Sequence, residues 1–292
     1  MKLATLKTGA DDVVAVVSPE TDRYWPVSDL LGQPVDTMID LIRIYDDVKT
    51  RLVPSGEGER LSDVTFAPPI VPSRNVMCVG KNYHAHAHEF TKSGFDSSAK
   101  DASDAIPTAP IIFTKAPETV IANGEDILYP TGLSDSIDYE AELGVVMGKS
   151  GRGISKADAL DHVFGYLIIN DMTARDLQSK HKQWFIGKSL DTFCPISSYI
   201  VTADEVKVDD LHLQCWVNGE LRQDSNTSDL IFDVPTLIET LSGGLTLQPG
   251  DMIATGTPAG VGIGFDPPKY LARGDEIAIE ISGLGRLANK VA

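Results

Sequence analysis

Cysteine is scarce in this chain: Cys78, Cys194 and Cys215 are the only three among 292 residues. They are widely spaced, odd in number and without C-x-x-C spacing, which excludes a disulfide framework or a zinc knuckle and predicts reduced thiols. Positive charge is also short. The 25 lysines and arginines face 42 acids, for a formal charge of −17. A surface of that sign repels phosphate, so neither nucleic acid nor an anionic membrane is expected as the main partner. Long apolar runs are missing too, and none reaches the length that spans a bilayer. Near the start, Asp11 and Asp12 arrive before any apolar signal core develops, so no secretory leader is expected and the protein is predicted to be cytoplasmic. An anionic substrate would therefore need positive charge supplied locally, by a metal ion or a few basic side chains.

What remains is an ordinary globular composition, 42% hydrophobic and 23% charged, long enough for one large domain or two unequal ones. Residues 1–70 predict a small N-terminal α+β domain: strands over 2–7 and 13–17, then a helix over 37–48 behind an N-cap at Asp36. Pro68, Pro69 and Pro72 stiffen a connector, which marks the boundary to a larger domain over 71–292.

The larger part is organised around the stretch 137–147. Its second half alternates as a half-buried strand, which puts Asp138, Glu140 and Glu142 on one face. Two carboxylates about 4 Å apart repel by roughly 4 kcal/mol at an effective dielectric near 20, so a positive group should sit among them. The competing reading is a solvated strand edge kept soluble by its charge. A strand over 166–170 ends at Asp171, which is placed to enter the same cavity. Glu140, Glu142 and Asp171 would then form a hard, all-oxygen ligand set suited to Mg²⁺ or Mn²⁺.

Upstream, a buried strand over 76–80 delivers Asn82, Tyr83, His84, His86, His88 and Glu89 within one short stretch. In a helical turn His86 and Glu89 lie three apart and touch. A carboxylate beside an imidazole fixes its tautomer and raises its basicity, which a general base needs. Residues 90–108 are a long polar insertion that reads either as a lid or as a plain loop. A helix is predicted behind Ser155, another over 173–178 carrying Arg175 and Gln178, and a strand over 196–201. Lys188, between Gly187 and apolar residues, is either a surface solubiliser or a site residue. Val217-Asn218-Gly219-Glu220 reads as a hairpin turn, and a helix is expected from Asp233 to the pair Gly243-Gly244. The Gly-rich loop over 256–264 lacks the helix of a dinucleotide fingerprint and the lysine of a P-loop, yet its amides and the Thr257 hydroxyl can bind a carboxylate.

These pieces together resemble the fumarylacetoacetate hydrolase family. Five motifs carry the resemblance in order: Gly80-Lys81-Asn82-Tyr83-x-x-His86-x-x-Glu89, Asp138-Tyr139-Glu140-x-Glu142, Asn170-Asp171-x-x-x-Arg175-Asp176-x-Gln178, Lys188 with Asp191-x-x-x-Pro195, and Gly256-Thr257-Pro258-x-Gly260-Val261-Gly262. The resemblance implies a mainly β, α+β fold of the mixed β-roll type, a homodimer, and Mg²⁺ or Mn²⁺ on Glu140, Glu142 and Asp171. It also implies catalysis by His86, Glu89 and Lys188, with a small anionic keto acid contacted by Tyr83, Arg175, Gln178 and Thr257. The activity first expected is hydrolysis of a carbon–carbon bond in a 1,3-diketo acid, such as an acylpyruvate. Oxaloacetate decarboxylation and dienoate isomerisation or tautomerisation use the same electron sink. A remoter reading takes His84-x-His86 as the start of a zinc amidohydrolase site.

Overall fold

The computed structural model describes residues 1–9, 12–94 and 105–292. Strand Ala141–Met147 is buried along its whole length, which departs from the half-buried strand expected. The reason is that both faces of its sheet are covered. Leu143, Val145 and Met147 enter one core, against Leu213, Cys215, Ile277 and Ile279 of a second sheet and Leu237 and Ile238 of helix Val234–Gly244. Val146 enters the other, with Leu167 and Ile169 and with Leu41 and Ile42 of helix Met38–Val48. Period-two alternation thus sorts apolar residues between two cores, and the sequence reads as an unbroken apolar run.

The fold is mixed α+β and mostly sheet. The main sheet has 11 strands. From one end its order is Glu59–Arg60, Arg23–Pro26, Asp12–Ser18, Lys2–Lys7, Ile200–Thr202, Val163–Asn170, Ala141–Met147, Met252–Ala254, Val76–Gly80 and Ile111–Lys115. Thr65–Phe66 pairs with Lys2–Lys7 off this path. The strands of the first seventy residues therefore continue the same sheet, through Lys2 beside Val201 and Leu3 beside Ile200. The second sheet has four strands, in the order Glu220–Asn226, His212–Val217, Glu276–Ile281 and Gly285–Lys290. Among the described residues no helix is long and apolar enough to cross a membrane.

Several local expectations meet their element. Helix Met38–Val48 is capped by Thr37, one residue past the cap read from the sequence, and its hydroxyl accepts from the Asp40 amide at 3.1 Å. Asp233 caps Val234–Gly244, and Asn218 and Gly219 turn the hairpin with positive φ. Others change. The helix predicted behind Ser155 is a turn followed by a single 3-10 turn, Ala159–His162. This segment only returns the chain from one strand to its antiparallel neighbour, closed by the Gly148 amide on the His162 carbonyl at 2.7 Å. Too few residues remain to propagate a helix. The strand predicted over 196–201 is likewise broken into Cys194–Pro195 and Ile200–Thr202. The lid reading falls largely on residues 95–104, which lie outside the described residues.

Candidate active site

Sheet register explains how distant residues meet. Glu142 stands beside Ile169 on the neighbouring strand, so Glu142 and Asp171, two residues beyond Ile169, project from the same face. On the far strand Phe113 pairs with Cys78 and Lys115 with Val76, which brings Phe113 and Lys115 to this face too. Glu140 sits in the break between strands Ile137–Asp138 and Ala141–Met147. Its carbonyl accepts the Asp171 amide at 2.8 Å and its own amide donates to Asn170 Oδ1 at 3.1 Å. One oxygen from each of Glu140, Glu142 and Asp171 lies within 4.8 Å of the others.

The positive groups are buried with them. Lys188 Nζ bridges Glu140 Oε2 at 2.7 Å and Asp171 Oδ2 at 2.8 Å. Arg175 Nη1 reaches Glu140 Oε1 at 2.7 Å, and its Nε reaches Asp138 Oδ2 at 2.8 Å. Lys115, which the sequence reading did not single out, holds Asp171 Oδ1 at 2.7 Å and also donates to the carbonyls of Met172 and Lys188. A lone lysine closing a strand carries no sequence signal beyond its apolar neighbours. Burial would raise the Glu140 carboxyl, but Lys188 and then Arg175 hold it down at about 2. Glu142 goes the other way: burial, then Asp171 and Glu140, push it well above the ordinary carboxylate range. Lys188 loses proton affinity to burial but regains more from Asp171 and Glu140, and stays an ammonium.

Asp138 is corrected. It shares no place in the cluster of Glu140, Glu142 and Asp171 but lies fully buried, where it fixes Arg175 and accepts from the amides of Gly262 at 2.6 Å and Ile263 at 3.0 Å. The Gly-rich loop does bind carboxylates, and they are the chain's own: the Gly256 amide donates to Glu142 at 2.8 Å and the Gly260 amide to Glu89 at 3.0 Å. Gly256 has φ +103°, and a Cβ there would stand 2.7 Å from that of Asn82. That contact needs glycine. Gln223, fully buried and unforeseen, positions the next residue by donating to the Thr257 hydroxyl at 2.8 Å and the Pro258 carbonyl at 2.8 Å.

Helix His84–Lys92 places His86 Nδ1 3.2 Å from Glu89 Oε2. His86 is buried whereas His84 and His88 are exposed. Residues two apart on a helix face in nearly opposite directions, which removes the His84-x-His86 zinc reading. Among the described residues the acid triad is the one cluster with metal-ligand geometry. His86, Glu140, Glu142, Arg175, Gln178, Lys188 and Thr257 all line one cavity, together with Val79, Gly80, Lys81, Phe90, Phe113 and Trp184. Tyr83 is not among its lining residues; its hydroxyl, like Arg175 Nη2, is buried without a hydrogen-bond partner among the described residues.

The donor set fits a divalent cation. Lys188 shows that Glu140 and Asp171 already grip a positive charge, and Glu142 has none of its own. Four buried carboxylates (Asp138, Glu140, Glu142 and Asp171) stand with four buried cations, Lys115, Arg175, Lys188 and Lys81, the last also lining the cavity. An ion of charge two held beside Glu142 would leave this set net positive, which suits an anionic substrate.

Comparison with known proteins agrees with this geometry. The model of the fumarylacetoacetate (FAA) hydrolase C-terminal family matches residues 75–292. Oxaloacetate tautomerase YisK of Bacillus subtilis (strain 168) is 52% identical over 233 residues, 79% of this chain and 74% of that protein. Fumarylacetoacetate hydrolase from psychrophilic Exiguobacterium antarcticum superposes with a TM-score of 0.84 at 38% identity, over 100% of this chain and 99% of that one. Maleylpyruvate hydrolase from Sphingobium sp. SYK-6, solved with manganese(II) and pyruvate, gives 0.79 at 31% identity over 100% and 99%. A match across most of the sequence, with every member of the acid cluster inside it, makes this chain an enzyme of the fumarylacetoacetate hydrolase family.

Proposed function

We propose that the chain is a divalent-metal-dependent tautomerase that interconverts the enol and keto forms of oxaloacetate or a 2-keto diacid of similar size. The observation that carries this reading is the 52% identity to oxaloacetate tautomerase YisK. Mg²⁺ or Mn²⁺ would be held by Glu140, Glu142 and Asp171, and once bound would act as a Lewis acid toward the oxygens of a keto acid. The chain moves the proton. With Nδ1 engaged by Glu89, His86 offers Nε2 to the substrate: toward the keto form it delivers a proton to C3 while the enol hydroxyl proton leaves to solvent, and the reverse reaction takes the C3 proton back. Lys188, kept charged by Asp171 and Glu140, donates to the oxygen where charge develops. Gln178 and Thr257 position the substrate, and the free Nη2 of Arg175 suits its distal carboxylate. We also assign Tyr83 to the substrate side through its unpartnered hydroxyl.

Hydrolysis of a carbon–carbon bond in a 1,3-diketo acid, the activity first expected from the sequence, is the second reading. It is favoured by the His86–Glu89 dyad, which can equally deprotonate water. Following enol-to-keto conversion of oxaloacetate beside pyruvate release from acylpyruvates, with Mn²⁺ present, separates the two. His86→Gln should slow tautomerisation by about 10² to 10⁴ with metal affinity unchanged. Wild-type turnover in that variant would sink the assignment of the base. We further infer a cytoplasmic homodimer, with residues 1–70 as a small unit joined through the shared main sheet to a catalytic domain of the mixed β-roll type over 71–292. The family match beginning at residue 75 supports that division, and sedimentation tests the dimer.

A further inference from the structure

The cavity has a charged end and an aromatic end, and buried Lys81 also lines it. If the keto-acid group of a substrate lies among Glu140, Glu142, Lys188 and Thr257, with its distal group at Arg175, an acyl chain longer than that enters among the aromatic rings, of which Arg175 overlies Phe90. Trp184 blocks that end. Its ring stacks edge-on to Phe113 at 5.3 Å and to Phe90 at 6.1 Å, and a Cβ on Gly80 would come within 2.5 Å of it. Glycine at 80 makes the notch that the indole fills. The two flanking rings are themselves held from the charged end, Phe113 under Lys188 Nζ at 4.9 Å and Phe90 under the Arg175 guanidinium at 5.7 Å. The cavity as a whole, its charged groups included, has about 10 Å³ of room, enough for about one water.

The backbone that carries the indole is also unusual. Lys182 and Trp184 have φ of 61° and 51°, two left-handed non-glycine residues within three positions. Such a conformation is costly for a bulky residue and persists where the surroundings over-determine it, commonly at a site. This link joins helix Arg175–His181, which carries Arg175 and Gln178, to helix Phe185–Lys188, which carries Lys188. The position of the indole is therefore tied to that of three cavity groups.

We propose that Trp184 determines specificity by limiting substrate length, admitting 2-keto acids of up to about four carbons and excluding those with longer acyl chains. This deepens the proposed function and rests on it for the keto-acid end and for the four-carbon figure, the length of oxaloacetate. An enlarged pocket gains apolar contact with each methylene it accommodates, worth about 0.8 kcal/mol or about fourfold in affinity.

The test uses the full-length protein with Mn²⁺, titrated with pyruvate, 2-oxobutanoate, 2-oxopentanoate and 2-oxohexanoate by calorimetry and by tryptophan emission. Wild-type affinity should fall beyond four carbons. In Trp184→Leu it should instead rise by about fourfold per added methylene, whereas oxalate, too short to reach the indole, should bind both proteins equally. Trp184→Phe, expected between the two, carries the test if the leucine variant fails to melt cooperatively. The same length profile in wild type and variants, or oxalate affinity lost in parallel with the rest, overturns the proposal. A shifted length profile in a protein that leaves oxaloacetate enol untouched upholds the length limit and removes the tautomerase reading, so the two fail separately.

Discussion

Two lysine–aspartate pairs show what burial does to the same chemistry. On the surface, Lys207 and Asp210 approach to 3.5 Å with both side chains more than half exposed. In the site, Lys115 and Asp171 meet at 2.7 Å with neither exposed. The first pair gains little, because water and salt already screen each charge. The second pair cannot be separated so cheaply, since either partner left alone is an uncompensated charge away from water. The catalytic face is built from the second kind of contact. Its appetite for a further cation follows from Glu142, a buried acid with no ion-pair partner of its own among the described residues.

The largest break in this comparison is to change the acid that lacks a cation. Glu142→Gln removes a ligand and should abolish Mn²⁺ binding in calorimetry; wild-type affinity would place the cation elsewhere. Next, Lys115→Met should cost about 1–3 kcal/mol of stability, read from the urea midpoint, because Asp171 Oδ1 and the carbonyls of Met172 and Lys188 lose their buried donor while Lys188 still holds Asp171 Oδ2. A loss under 1 kcal/mol would mean that water reaches Asp171.

A smaller effect sharpens the contrast through pH. The folded pKa of Glu142 stands above its ordinary value of 4.5, so its contribution to the stability of the metal-free fold is full below that value and is lost as pH rises through the raised pKa. An incoming cation must displace that proton. Mn²⁺ affinity should therefore climb with pH, by up to about tenfold per unit, until Glu142 ionises freely. A flat profile measured upward from pH 4.5 would show that Glu142 is already ionised. Smallest of all, Lys207→Met should shift stability by less than about 1 kcal/mol, and this shift should vanish in high salt.

Legibility followed the range of the interaction. The His86–Glu89 contact was readable because it lies within one helical turn, and the cap at Asp233 because it acts over three residues, whereas the cap expected at Asp36 falls on Thr37. The helix expected behind Ser155 was a local preference overruled by a short antiparallel return. Asp138 was misplaced because a strict alternation from 137 to 147 hides the break at Tyr139 and Glu140. Lys115 and Gln223 gave no warning, since their partners stand 56 and 34 residues away.

From residue order alone came the identity of the acids, the dyad and the lysine, and their likeness to a family, because spacing within a turn or strand is a local property. Which carboxylate is fixed by Arg175, which is left without a cation, and how an indole closes the cavity were decided by the packing of strands distant in sequence. Charges interact through space, and only the assembled sheet sets those distances.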